Sequence, residues 1–293
     1  MDKPLTHLTE SALTEPSGGD MTTGTDSVQN RRGPVRVMIA TPTYQSLVST
    51  QYMMSVLRLV SSELTKKYDF AVTPFSDSLV PRTRNELFAA ARRLKCDKIL
   101  FIDSDVAFTS EDVENIISSP QWITAGTYRK HCAEVLLNYN LTKEIEDQIM
   151  ATKKFEAANT WEAFLYLCET FADPETFLVP ARHLPTGFMC IDMRAFPLLE
   201  KVAEPYLSDS RSNHLREVTP EIAQELTVHN LFPVIVHKGI LLSEDWGFCE
   251  LCARAGLMVF LDTRIIVPHL KNVGLSVPTR DEMFWRRKQP LEK

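Results

Sequence analysis

The run Lys98-Ile99-Leu100-Phe101-Ile102 leads straight into Asp103-Ser104-Asp105, and that junction constrains the fold of this 293-residue chain more than any other feature. Ile99 to Ile102 are apolar on both faces and too few for a helix, the pattern of a strand buried inside a parallel sheet. Such a strand delivers two carboxylates to its carboxyl end, where open α/β sheets bind their ligands. Alternate side chains of an extended segment point the same way, so Asp103 and Asp105 can aim at one point. Two converging carboxylates resist joint ionisation unless a cation joins them. A hard divalent ion that keeps positions open for phosphate oxygens suits the pair. A solvated Asp-Ser-Asp turn is the plainer alternative, and the triplet alone does not choose between them.

The surrounding rhythm is strand and helix in alternation. Residues 35–41 form an apolar strand, 47–66 an amphipathic helix, 70–75 a second strand and 82–94 a helix that precedes the Asp-bearing strand. A short helix over 111–118, with Ser110 as its N-cap, and a strand over 122–127 follow. This alternation calls for an α/β fold: a mixed, mainly parallel Rossmann-like sheet flanked by helices and joined by right-handed crossovers. Residues 128–182 break the rhythm with helical stretches near 142–158 and 161–171, expected to form a helical insertion above the sheet. Segment 204–230 is polar and poorly periodic, which predicts a mobile or acceptor-facing loop. One domain is expected over 34–275, between a disordered leader (1–33) and a C-terminal tail (276–293). The leader is rich in Ser, Thr, Gly and Asp and lacks the apolar stretch of a signal peptide.

Composition narrows the function classes. At 44% hydrophobic and 24% charged residues the chain can bury a sizeable core. No apolar run approaches the roughly 20 residues that span a bilayer. A net charge of −6 argues against broad nucleic-acid affinity, which needs clustered cations. Arg82, Arg84, Arg92, Arg93 and Lys95 form one local cluster, and Arg286-Arg287-Lys288 after Phe284-Trp285 another; solvated faces explain most of both. Six cysteines scatter through helical and strand-like segments, as buried thiols do in a reducing compartment, so a cytoplasmic enzyme is expected. Cys249 and Cys252 have metal-like spacing without a second such pair, which favours core packing.

Other motifs fall in a telling order: Thr41-Pro42-Thr43-Tyr44 after the first strand, Arg84-Asn85, Asp103-Ser104-Asp105, Pro185-Thr186-Gly187, Glu244-Asp245-Trp246 and Val267-Pro268-His269. This order resembles the GT-A fold nucleotide-sugar glycosyltransferases, nearest to glycosyltransferase family 2. Arg84-Asn85 resembles that family's Ala-Arg-Asn segment, with Thr83 in place of the Ala. Asp103-Ser104-Asp105 resembles its DXD motif and Glu244-Asp245-Trp246 its ED motif. The compact pattern is also similar to virus- and phage-encoded members, which would place the protein in a host cytoplasm.

The resemblance implies transfer of a sugar from a nucleoside diphosphate, UDP foremost, to a hydroxyl acceptor with Mn2+ or Mg2+. The implied metal ligands are Asp103, Asp105 and His269, imidazole being an acceptable partner for manganese. Thr41, Pro42, Thr43 and Tyr44 would seat the nucleoside, with Tyr44 stacking on the base. Asp77 would accept from a uracil N–H, while Arg82, Arg84, Asn85, Asp103 and Ser104 line the nucleotide cleft. Arg84 can pair a phosphate or base carbonyl bidentately. Gly187 would let backbone approach the donor sugar. Glu244 and Trp246 flank Asp245, the expected general base of an inverting transfer, in a helical first turn capped by Ser243. Each of these also has a structural explanation, since acidic residues suit a helix start and aromatics suit a core. A retaining transferase would carry the same motifs. A nucleotidyltransferase would normally show a Gly-rich phosphate loop, and residues 41–50 contain no Gly. A non-catalytic sugar-binding module is the remaining alternative. The acceptor is expected to be a glycan or other hydroxyl compound, a nucleic acid being possible but not favoured.

Overall fold

A computed structural model describes residues 33–130, 136–208, 219, 223 and 226–269. The body of the leader, the C-terminal tail and the Phe284–Lys288 cluster therefore lie outside the described residues. Thirteen elements set the frame: β1 (Val35–Thr43), α1 (Thr50–Val60), β2 (Tyr68–Ser76), α2 (Val80–Arg93), β3 (Lys98–Ile102), α3 (Ser110–Ile117), β4 (Ile123–Thr127), β5 (Asn140–Leu141), α4 (Lys143–Ala151), α5 (Trp161–Thr170), β6 (Leu178–His183), β7 (Phe188–Asp192) and α6 (Phe196–Leu199). The chain continues through β8 (Pro205–Leu207), β9 (Thr227–His229), β10 (Ile235–His237), β11 (Ile240–Leu242), α7 (Glu244–Arg254) and β12 (Val259–Ile266).

Eight strands form the central sheet in the order β2-β1-β3-β7-β4-β12-β6-β5. Strands β7 and β6 run against the other six, so the sheet is mixed and mainly parallel, with a Rossmann-like α/β layout. Helix α1 carries the chain from β1 out to β2, and α2 returns it across β1 to β3. That reversal falls at the carboxyl ends of β1 and β3, the end at which such sheets take ligands.

Strand β3 shows why the short apolar run had to be a strand. Ile99 and Phe101 enter one core cluster and Leu100 and Ile102 the other, all fully buried. Burying one such side chain contributes about 1.5–3 kcal/mol, and only a central strand uses both faces of a four-residue run. Strand β1 does the same with Met38 and Ala40 on one side and Val37 and Ile39 on the other.

Local details differ from the sequence expectations where side-chain chemistry outvotes pattern. The 47–66 helix is really α1 followed by a separate 3₁₀ turn, Glu63–Lys66, because the Ser62 hydroxyl caps a new start at Leu64. Helix α3 is capped by Thr109, not Ser110: the Thr109 hydroxyl receives the Asp112 N–H while Asp112 receives the Thr109 N–H. Residues 128–182 carry α4 and α5, but also β5 and most of β6, which extend the sheet at its far edge. The ends of the polar 204–230 segment pair as the β8–β9 ladder. Cys249 and Cys252 are buried on α7 within the larger core, as packing thiols.

Candidate functional site

Every motif after the first strand converges on one end of the sheet. Residue Asp103 follows β3, Tyr128 follows β4, Gly187 precedes the antiparallel β7, and His269 lies just past β12. Parallel strands put their carboxyl ends on this side, and an antiparallel strand puts its start there, so the convergence follows from topology.

Asp103 and Asp105 have different surroundings. The Asp103 Oδ1 accepts from Arg84 Nη2 at 2.8 Å, and the Asp103 N–H donates to the Gly187 carbonyl at 3.0 Å. Asp105 is 42% exposed, and its Oδ2 lies 3.3 Å from His269 Nε2. A β-bridge between Val106 and His269 and a bond from the Ala107 N–H to the Pro268 carbonyl at 3.0 Å hold the two segments together. The carbonyl of Ser104 accepts from the Ser49 N–H at 2.8 Å, tying the same loop to α1.

Arg84 does not face open solvent or an open cleft. It is 3% exposed on α2, with Nε 3.7 Å from Glu244 Oε1 besides the bond to Asp103, and its Nε and Nη1 make no hydrogen bond. The guanidinium thus bridges β3 and α7. Burial pushes the Glu244 carboxyl above its ordinary value, with Arg84 opposing that rise.

Asn85 is likewise internal. Its Oδ1 accepts from the N–H groups of Leu231 and Phe232 at 2.9 and 3.1 Å, and its Nδ2 donates to Asn230 Oδ1 at 3.1 Å. The side chain clamps the 230–232 segment, which takes both Oδ1 lone pairs and one of the two Nδ2 hydrogens. Just beyond that segment, a Cβ at Gly247 would sit 1.8 Å from the Pro233 carbonyl oxygen, so only glycine lets α7 approach it.

The first-strand residues divide in a similar way. Thr41 is fully buried and hydrogen-bonds the Tyr52 hydroxyl. Pro42 is buried in β1, and the Thr43 hydroxyl donates to the Phe75 carbonyl at 3.2 Å. Tyr44, 63% exposed at the strand end, has its ring open for stacking. Asp77 does not present itself to a base. It accepts from Arg82 at 2.6 and 2.7 Å and from the Leu79 N–H at 3.0 Å, and the Arg82 bonds hold its carboxyl down at about 2. Arg82 is committed to that pair as well.

Gly187 is required, though for a different neighbour than a sugar. A Cβ there would lie 2.7 Å from both Asp103 Oδ2 and the Tyr128 hydroxyl. Tyr128 was not anticipated from sequence, yet it sits at the carboxyl end of the next strand in line, which is where sheet topology would direct a search. It is 6% exposed, with its ring 4.6 Å from that of His269. Burial raises its hydroxyl well above the ordinary tyrosine value, and the Asp103 and Asp245 charges add to the rise.

On the far side, Ser243 takes the N-cap backbone position of α7, but its hydroxyl turns to Asp245 Oδ1 and caps nothing. The same oxygen accepts from the Trp246 N–H at 2.9 Å, which leaves Oδ2 without a hydrogen bond among the described residues. Trp246 stacks on His183 with centroids 4.8 Å apart and planes at 10°, so one face of the indole is covered.

The fit of a divalent ion can be judged from these donors. No group of three His, Cys, Asp or Glu side chains among the described residues forms a ready metal cage. Asp103 is partly engaged by Arg84, so the more exposed carboxylate edge is Asp105, beside the largely buried His269. One or two protein donors plus substrate phosphates and waters is the usual way Mg2+ is held, and that edge fits such an arrangement.

No protein-family model and no curated protein matches the chain. A solved structure described as A197 from STIV overlays at a TM-score of 0.43 with 12% identity, covering 81% of this chain and 86% of that one. That degree of likeness is too loose to bear on function. Among the described residues, no helix is long and apolar enough to cross a membrane.

Proposed function

We propose that this chain transfers a sugar from a nucleoside diphosphate, preferably UDP, to a hydroxyl acceptor by inversion, using Mn2+ or Mg2+. The observation that carries the proposal is the division of labour among carboxylates at one sheet end. Asp103 is fixed by Arg84, the more exposed Asp105 pairs with His269, and Asp245 presents an oxygen without a hydrogen bond among the described residues. Asp103 and Glu244 flank the buried guanidinium of Arg84, and the charges of Asp103 and Asp245 both bear on Glu244, a surplus of carboxylates that favours an added cation.

Asp105 and His269 would hold the ion, which when bound supplies positive charge to the departing diphosphate. Exposed Tyr44 stacks on the base at the end of β1. Asp103, oriented by Arg84 and by its own N–H bond to Gly187, accepts from donor hydroxyls. Asp245 Oδ2 takes the proton of the acceptor hydroxyl as that oxygen attacks the anomeric carbon, and the nucleoside diphosphate leaves from the opposite face.

A panel of nucleotide sugars, assayed for nucleotide release with and without Mn2+, tests this directly. The expected outcome is metal-dependent release from a UDP-sugar, together with Mn2+-dependent UDP binding that disappears in Asp105→Ala. Calorimetry showing unchanged Mn2+-dependent UDP affinity in Asp105→Ala would reject the metal role. No release from any nucleotide sugar across a broad acceptor set would reject the transferase.

A further inference from the structure

Outside the carboxylate cluster lies an arrangement that no motif in the sequence announces. His183, the last residue of β6, is 3% exposed and held on three sides. Its face lies on the indole of Trp246. Its Nε2 is 2.8 Å from Glu250 Oε1, and its Nδ1 is 3.4 Å from Asn140 Nδ2 on β5. A carboxylate can only accept, so Nε2 carries the hydrogen, and Nδ1 is then free to accept from the Asn140 amide. One neutral tautomer satisfies both contacts. A second proton, on Nδ1, would face the Asn140 NH2 group and lose that bond.

Glu250 is four residues after Trp246, hence on the same side of α7. His183 therefore grips the helix twice, through the ring face at Trp246 and through the ring edge at Glu250, and Asp245 is the residue next to Trp246. The charged and titratable neighbours are few. Arg182 reaches Glu250 Oε1 at 3.1 Å, His237 Nδ1 lies 3.6 Å from Glu250 Oε2, and Lys130 Nζ lies 5.5 Å from the Trp246 ring centroid. Asp245 also faces the imidazole electrostatically. Burial lowers the proton affinity of His183 below the ordinary histidine value of 6.5, against the opposing pull of Glu250.

We infer that His183 is a positioning residue for the acceptor side of the site: its stack on Trp246 and its bond to Glu250 set the first turn of α7, and with it the direction of Asp245, and uptake of a second proton gives up the Asn140 bond and turns the Glu250 contact into an ion pair beneath the indole. The catalytic consequence rests on Asp245 acting as the proposed base. The mechanical coupling of His183 to Trp246 does not.

The full chain labelled with 5-fluorotryptophan separates these two parts. Fluorine NMR of the four tryptophans identifies the Trp246 signal as the one missing in Trp246→Phe. That signal should shift with pH, with a midpoint below 6.5; the shift should vanish in His183→Gln and persist in His237→Gln. Should His183→Gln not fold, His183→Phe keeps an aromatic stack, removes the titrating group, and should give a pH-independent signal. A Trp246 signal that ignores pH in the wild type, or that titrates unchanged in the His183 variants, overturns the inference. With a transferable donor in hand, His183→Gln should lower kcat by about 10–100-fold while leaving Mn2+-dependent UDP binding intact. A parallel loss of UDP affinity would overturn the acceptor-side role. If the wild type transfers no sugar at all, the proposed function fails while the fluorine titration still decides the coupling.

Discussion

The two walls of the candidate site are built on different physical terms. The strand wall consists of Asp103, Tyr128, Gly187 and His269, each at the end of a strand or loop locked by backbone bonds around the buried centre of the sheet. Contacts there leave no room for a Cβ at Gly187. The helix wall consists of Glu244, Asp245 and Trp246 in the first turn of α7, entered from a hairpin whose Val236 and Leu241 are 70% and 69% exposed. A helix start has free N–H groups and no ladder on either side, so its direction depends on side-chain supports. Here these are Arg84 and His183, together with the close approach of Gly247 to Pro233. The contrast suits a site that receives a charged donor on a preset surface and an acceptor on an adjustable one.

The largest expected effect probes the helix wall. Asp245→Asn keeps shape but cannot take up the proton, so turnover should fall by about 10²–10⁴-fold. UDP affinity, measured by calorimetry, should hardly change if the walls divide the work as described. Near-normal transfer by this variant would favour a retaining mechanism, and a matching loss of UDP affinity would merge the two walls into one donor site.

Arg84 joins the walls, and its removal should be felt in folding. Arg84→Met strands the partly buried carboxylates of Asp103 and Glu244 without their cation, and such a loss costs about 3–5 kcal/mol. Denaturant unfolding at neutral pH would measure it. A cost under about 1 kcal/mol would mean that the walls stand independently.

On the strand wall alone, Gly187→Ala forces a methyl against Asp103 and Tyr128 and should destabilise by about 1–3 kcal/mol. Thermal unfolding checks the first part, and loss of Mn2+-dependent UDP binding would show that the displaced Asp103 and Tyr128 belong to the donor side. Asp245→Ala in the same assay should leave that binding in place.

The smallest effect lies outside both walls. Asp77 is held down at about 2, from an ordinary 3.8, chiefly by its bonds to Arg82. Its pairing therefore stabilises the fold above pH 3.8 and is lost as the pH falls from 3.8 toward 2. Asp77→Asn should be the less stable protein at neutral pH, and the two should converge across that acid window when followed by circular dichroism. Curves that stay parallel through it would show that the Asp77–Arg82 pair contributes nothing.

How much of this could be read from residues alone depended on the range of the interaction. Strand β3 was legible to the residue because burial on both faces leaves one solution for a short apolar run between charges. The Asp pair, the acidic helix start and His269 were legible as a set, since strand ends must meet on one side of the sheet. Thr41, Asn85 and Asp77 were read as ligand contacts but spend their polar groups on Tyr52, the 230–232 backbone and Arg82. Nothing in a one-dimensional string distinguishes a polar group aimed at a ligand from one satisfied by a segment 146 positions away. Tyr128, His183 and Glu250 escaped notice for the same reason, because they gain meaning only from neighbours brought in by other strands.

The sequence by itself determined the alternation of strands and helices, the burial of β1 and β3 and the end of the sheet at which carboxylates gather, since periodicity and burial are local properties of the chain. Only the tertiary structure decided that Asp103 is tied to Arg84 while Asp105 meets His269, that Asn85 is a clamp, and that α7 leans on His183. Those outcomes turn on distances of about 3 Å between residues far apart in sequence, set by how β7 and β12 insert beside β3 and β4, and hydrogen bonding acts only at that range.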